Sequence, residues 1–240
     1  MMRLDCKQFI LLWSFCVASG WGVGVQNIGP GTLNEVKADG AIVLDGTHVL
    51  SETRVDGSLV ARKAELNSLM VNGSAVLEES QVKGKTAVDG ALTAKKVTFA
   101  DVQVNGGAEL TNSTVKGQTN IDGGLNVQQG EFGALNVNGG VSLSQTYIKG
   151  EAVINGGLVA RDTSFEKHLS VAAEKMEFHH AKLSSLHVQN TGKRVKVQQV
   201  LLKGNTLVKG DIMFDENGEV LMEAGAKIQG TVKNGKIVAL

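Results

Sequence analysis

Four histidines crowd one stretch of this chain: His168, His179, His180 and His187. Imidazole is the commonest metal ligand. Glu177 lies among them and could supply an oxygen, so His179, His180, His187 and Glu177 are the candidates for a surface zinc or copper site. Their spacing argues the other way. No H-x-H or H-x-x-x-H step occurs, and His187 sits between Leu186 and Val188, pointing outward if they point in. The expectation is exposed histidines on a β surface and no metal. Catalytic carboxylates fare no better. Glu78 and Glu79 are sequence neighbours, whereas glycoside hydrolysis needs two carboxyl groups set across a cleft. No catalytic residue and no cofactor site is expected, so the chain reads as a non-enzyme. Aromatics are 4% of residues, and past position 20 only Trp21 and Tyr147 accompany the phenylalanines, which argues against an aromatic sugar platform. Zero net charge gives no case for binding nucleic acid.

The residue types that do recur are turn formers. An Asn-Gly or Asp-Gly step marks Asp39-Gly40, Asp56-Gly57, Asn72-Gly73, Asp89-Gly90, Asn105-Gly106, Asp122-Gly123, Asn138-Gly139 and Asn155-Gly156. The glycines are spaced 17, 16, 17, 16, 17, 16 and 17, a two-coil unit of 33 residues. The tetrapeptide LVAR, at 59–62 and again at 158–161, is separated by three such units. Within a unit, apolar residues alternate with polar ones in short pieces: Leu92 and Ala94, Val97 and Phe99, Val102 and Val104. Period-2 alternation in three pieces per coil, closed by turns, specifies an all-β, single-stranded parallel β-helix. The 17-residue coils carry a second turn, V-K-G-K-T at 82–86, V-K-G-Q-T at 115–119 and I-K-G-E-A at 148–152. The 16-residue coils place Leu66, Phe99, Phe132 and Phe165 near that corner. A bulge in one coil above a filled core in its neighbour is expected.

Eleven or twelve coils at about 4.8 Å each give a rod about 55 Å long. Stacking puts the Asn/Asp residues in one file, where interleaved amides keep carboxylates apart and donate to their neighbours. This file is read as a structural ladder, not a cation row. Regularity falls after Ala172, and the Asn-Gly step returns only at Asn217-Gly218 and Asn234-Gly235. The expected organisation is a leader over 1–20, a linker or cap over 21–38, a regular β-helix over 39–190 and less regular coils over 191–240. The leader has Arg3 and Lys7, an apolar run from Phe9 to Ala18, and small residues at Ala18 and Gly20. Both cysteines, Cys6 and Cys16, fall inside it, so the processed chain would contain none.

The N-G-x-L/V and K-G rhythm, from Asp39 to Leu240, resembles the bactofilins, polymer-forming proteins with a β-helical core. That resemblance implies a right-handed helix and end-to-end assembly. The leader departs from those proteins, which are typically filament formers on the cytoplasmic side. The expected role is an exported, non-enzymatic scaffold in the periplasm or on the surface of a bacterium. It would associate with itself, end to end or laterally, or with an envelope component. The competing expectations are a carbohydrate-binding or carbohydrate-active β-helix and an adhesin-like module.

Overall fold

The computed structural model describes residues 17–192 and 197–240. Every strand belongs to one parallel sheet, and no helix is present among the described residues. The sheet winds into a β-solenoid of about 12 turns, which at about 4.8 Å per coil spans about 58 Å. Residues 1–16 of the expected leader, including Cys6 and Cys16, and the basic run at 193–196 lie outside the described residues.

Each coil has three faces. The first follows the Asn/Asp-Gly corner and is built from Leu92–Lys95, Ala108–Thr111, Leu125–Gln128, Val141–Ser144, Leu158–Arg161 and their counterparts. Each segment sends two side chains into the core, and their sizes alternate. Leu59 and Ala61 lie below Ala75 and Leu77, which lie below Leu92 and Ala94, then Ala108 and Leu110. Every leucine in this stretch therefore stacks on alanine. A close-packed interior demands such size matching, and one large–small cycle takes two coils. This explains why the repeat is 33 residues and not 16 or 17.

The second face buries a single file that runs Leu66, Val82, Phe99, Val115, Phe132, Ile148, Phe165. The bulky rings come from the 16-residue coils. The register slips between Val82 and Lys85, between Val115 and Gln118 and between Val115 and Thr119, at the expected second corner. The extra residue of each 17-residue coil is thus a β-bulge at the lysine-glycine turn. The third face buries two files. One runs Val55, Val71, Val88, Val104, Ile121, Val137. The other interleaves threonine with aliphatics: Thr53, Leu69, Thr86, Val102, Thr119, Leu135, Ala152.

The glycines of the first corner stack in single file. Gly40 pairs with Gly57 and Gly57 with Gly73. A Cβ on Gly57, Gly73, Gly90, Gly106, Gly123, Gly139 or Gly156 would meet the carbonyl oxygen of the glycine one coil below, well inside 3.0 Å. Most of these glycines also take positive φ, such as 152° at Gly90. Backbone rests on backbone here, so no side chain fits.

A third corner has no glycine signature. Lys63, Glu79, Lys96, Asn112, Gln129, Gln145, Asp162 and His180 occupy it in the left-handed region, with φ between 48° and 57°. Each donates its N–H to the next coil, as Lys96 does to the Thr111 carbonyl at 2.9 Å. The following residue turns inward. Where it is Ala64 or Val97, its N–H donates to the hydroxyl of Ser80 or Ser113 one coil on, at 3.0 and 3.2 Å.

The winding already includes Val17–Ile28, which pairs in parallel with Glu35–Asp45, so strands occupy the stretch read as a linker over 21–38. Past Ala172 the coils lengthen. Met176 stacks on Leu158 below and on Val200 above, a step of 24 residues. Val197 is exposed. The last strand, Val232–Ala239, pairs on one side only, and Ile237 and Leu240 are exposed at 56% and 66%.

Candidate functional site

The histidines divide between two places. His179 and His180 sit at the third corner with rings 5.3 Å apart, and His180 Nδ1 lies 3.6 Å from Asp162 Oδ1. His168 and His187 lie on the third face, rings 6.0 Å apart. His168 Nδ1 shares a 2.8 Å hydrogen bond with Ser185 Oγ. His187 Nε2 donates to Asp215 Oδ1 at 2.6 Å, and the Asn190 N–H donates to the other oxygen at 3.1 Å. These two bonds, the histidine first, hold the Asp215 carboxyl below its ordinary range. Glu177 stands on the first face between Lys175 at 3.0 Å and Lys203 at 3.8 Å, and its carboxyl is lowered chiefly by Lys175. His187 is therefore not brought together with His179, His180 and Glu177. No group of three or more His, Cys, Asp or Glu able to hold a metal occurs among the described residues.

The turn residues do come together. Asp56 pairs with Asn72 along the file. Asn105 Nδ2 donates to Asp89 Oδ1 at 2.5 Å, and Asn138 Nδ2 to Asp122 Oδ1 at 2.6 Å. Asn155 Nδ2 then donates to Asn138 Oδ1 at 2.7 Å. In each of these bonds the amide reaches to the coil before it. Amide donors beside Asp89 and Asp122 make this part of the file a hydrogen-bonded ladder.

Other charges are spent in ties between coils. Glu78 lies between Arg62 at 3.9 Å and Lys95 at 3.6 Å. Lys96 Nζ donates to Glu79 Oε1 at 3.0 Å, which lowers the Glu79 carboxyl and raises the Lys96 ammonium. Asp211 accepts from Lys233 Nζ at 2.7 Å, from the Thr231 N–H at 2.9 Å and from Thr231 Oγ1 at 3.0 Å. These bonds, Lys233 first, pull its pKa from 3.8 to about 2. All are exposed pairs of modest strength.

An open trough of about 720 Å³ lies on the first face. Its floor is Gly107, Gly124, Gly140 and Gly157, and its sides include Thr93, Asn126 and Ser142. Sequence reading missed it, although Gly-Gly doublets at 106–107, 123–124, 139–140 and 156–157 signal it. The first glycine of each doublet builds the corner. The second is not needed for it: none has positive φ, and a Cβ there meets nothing closer than 3.8 Å. No protein-family model, no curated protein and no solved structure matches the chain.

Proposed function

We propose that this chain is an exported, non-enzymatic structural protein, a stiff rod in the periplasm or at the surface of a bacterium, that self-associates into larger scaffolds. The observation that supports this reading is the uninterrupted core. Among the described residues, buried apolar side chains from Val36 to Val220 form one cluster, and from Gly40 to Gly156 the glycine file locks successive coils by backbone contact. Side-chain ties between coils add to the lock, and bending the rod would break them together. Ile237 on the last strand described and Leu240 just after it, both exposed, supply an apolar surface on which another copy can stack. The rhythm shared with bactofilins is consistent with such end-to-end assembly. Light scattering and negative-stain microscopy of the chain without residues 1–20 test the reading. Rods that lengthen with concentration support it, and a strictly monomeric particle at high concentration removes it.

A further inference from the structure

We infer that Asn217 is the site at which this chain spontaneously deamidates, and that the ladder spares the Asn-Gly steps of the first corner from the same reaction.

Asparagine is a thermolabile residue, and the chain has six Asn-Gly steps, at Asn72, Asn105, Asn138, Asn155, Asn217 and Asn234. In the reaction the backbone nitrogen of the glycine attacks the asparagine Cγ, and ammonia leaves. Water then opens the cyclic imide at either carbonyl. The products are aspartate and its isomer isoaspartate, with one water consumed and one ammonia released. Glycine favours the attack because no side chain shields its nitrogen. Sequence alone therefore makes the six steps equal. The fold separates them.

Ring closure needs an amide free to turn and a backbone able to bend toward it. The first corner restrains both. The Asn105, Asn138 and Asn155 amides donate to Asp89, Asp122 and Asn138. The glycines of these steps are pressed backbone on backbone, as Gly106 is between Gly90 and Gly123. The Asn72 amide has no partner among the described residues, but its glycine is held, since the Gly73 N–H donates to the Asp89 carbonyl at 3.1 Å. The Asn234 amide donates to the Phe214 carbonyl at 2.9 Å.

Asn217 is placed differently. It is the last of three exposed residues, 215–217, that interrupt the alternation of Ile212–Met222. The register slips here, between Met213 and Gly218. The Asn217 amide has no hydrogen-bond partner among the described residues. Gly218 rests on the Phe214 ring and not on backbone. Asn217 and Gly218 both line an open recess of about 390 Å³, so water reaches them.

The product alters this coil. A carboxylate at 217 joins Asp215, Glu216 and Glu219, which tie the coil to His187, Asn190 and Gln199. Isoaspartate also adds a carbon to the main chain just before Gly218, which pairs with Gln198 and Gly235. The coils past Ala172 are therefore the ones that loosen as the molecule ages.

The full chain, kept warm in mildly alkaline buffer, is sampled by peptide mass spectrometry and by isoaspartyl methyltransferase labelling, with a urea-unfolded sample alongside. In the folded chain Asn217 should convert at least tenfold faster than Asn105, Asn138 and Asn155, whose reaction waits on local opening. In urea the six rates should converge. Asp89→Ala, which frees the Asn105 amide, should raise conversion at Asn105 severalfold. Hydrogen exchange at Val220 should quicken as Asn217 converts, while that at Val104 is unchanged. Equal rates at all six steps of the folded chain overturn the inference, as does a ladder step that converts first. Asn217 leading by as much in urea also overturns it, because its sequence neighbours and not the fold would then be the cause. An unchanged Asn105 rate in Asp89→Ala refutes the protection assigned to the ladder.

Discussion

Three threonines in the core are expected to weaken the rod, and replacing them should strengthen it. Thr53, Thr86 and Thr119 recur at 33-residue intervals in one buried file, and their hydroxyls have no hydrogen-bond partner. Thr86 is fully buried and stacks between Leu69 and Val102. A buried hydroxyl without a partner costs about 1–3 kcal/mol relative to leaving it in water. Valine has nearly the same shape and places a methyl where the hydroxyl was. Thr86→Val should therefore stabilise by about 1–2 kcal/mol. For a chain of this size that raises the melting temperature by about 2–8 °C. The three sites are two coils, or about 10 Å, apart, so their effects should add to about 3–6 kcal/mol. The fourth position of the series is Ala152, already apolar. Thr86→Ser is the control: it keeps the hydroxyl, loses a methyl and should destabilise by about 1 kcal/mol. Because long repeat arrays can lose two-state behaviour, hydrogen exchange at Val71 and Val104 should accompany the thermal melt. A Thr86→Val variant no more stable than the native chain would refute the reasoning, since the hydroxyl would then have to be satisfied.

Gly90→Ala places a Cβ against the Gly73 carbonyl at φ 152°, and should cost about 3 kcal/mol or more in a denaturant melt. Gly107→Ala, one residue past the next corner and open to solvent, should be neutral or stabilising by up to about 1 kcal/mol. The exchange Leu92→Ala with Ala94→Leu conserves volume within a coil but sets leucine between Leu77 and Leu110. Its expected cost in the same assay is about 3–8 kcal/mol, a void plus an overpacked site, and near-native stability would show that alternation is unnecessary. Asp211 has a depressed pKa, so its contribution is present above 3.8 and is lost as pH falls through about 2. NMR titration of the Thr231 amide should show a midpoint near the lower value, and Asp211→Asn should abolish that step.

Two of the three corners could be read from sequence because their geometry demands particular residues. Only glycine can sit where Gly90 rests on Gly73, and the bulge at Val82–Lys85 adds a countable residue. The three faces followed from alternation. The third corner escaped because its left-handed position accepts Lys, Glu, Gln, Asn, Asp or His, all exposed and held by backbone bonds to the next coil. Its legible trace is the small inward residue that follows: Thr47, Ala64, Ser80, Val97, Ser113. The separation of His187 from His179 could not be read either. Both precede or follow apolar residues, and only the count of residues to each corner assigns them to different faces. The trough was hidden for a further reason, since glycine was already explained by turns.

The pairing of leucine over alanine also governs how such a chain can change length. Removing or duplicating one storey would set leucine against leucine on one side and alanine against alanine on the other. Between Leu59 and Leu110, removing or duplicating two keeps leucine on alanine. The molecule is in effect a ruler graduated in steps of 33 residues, or about 10 Å, and lineages bearing longer or shorter versions should differ by whole graduations.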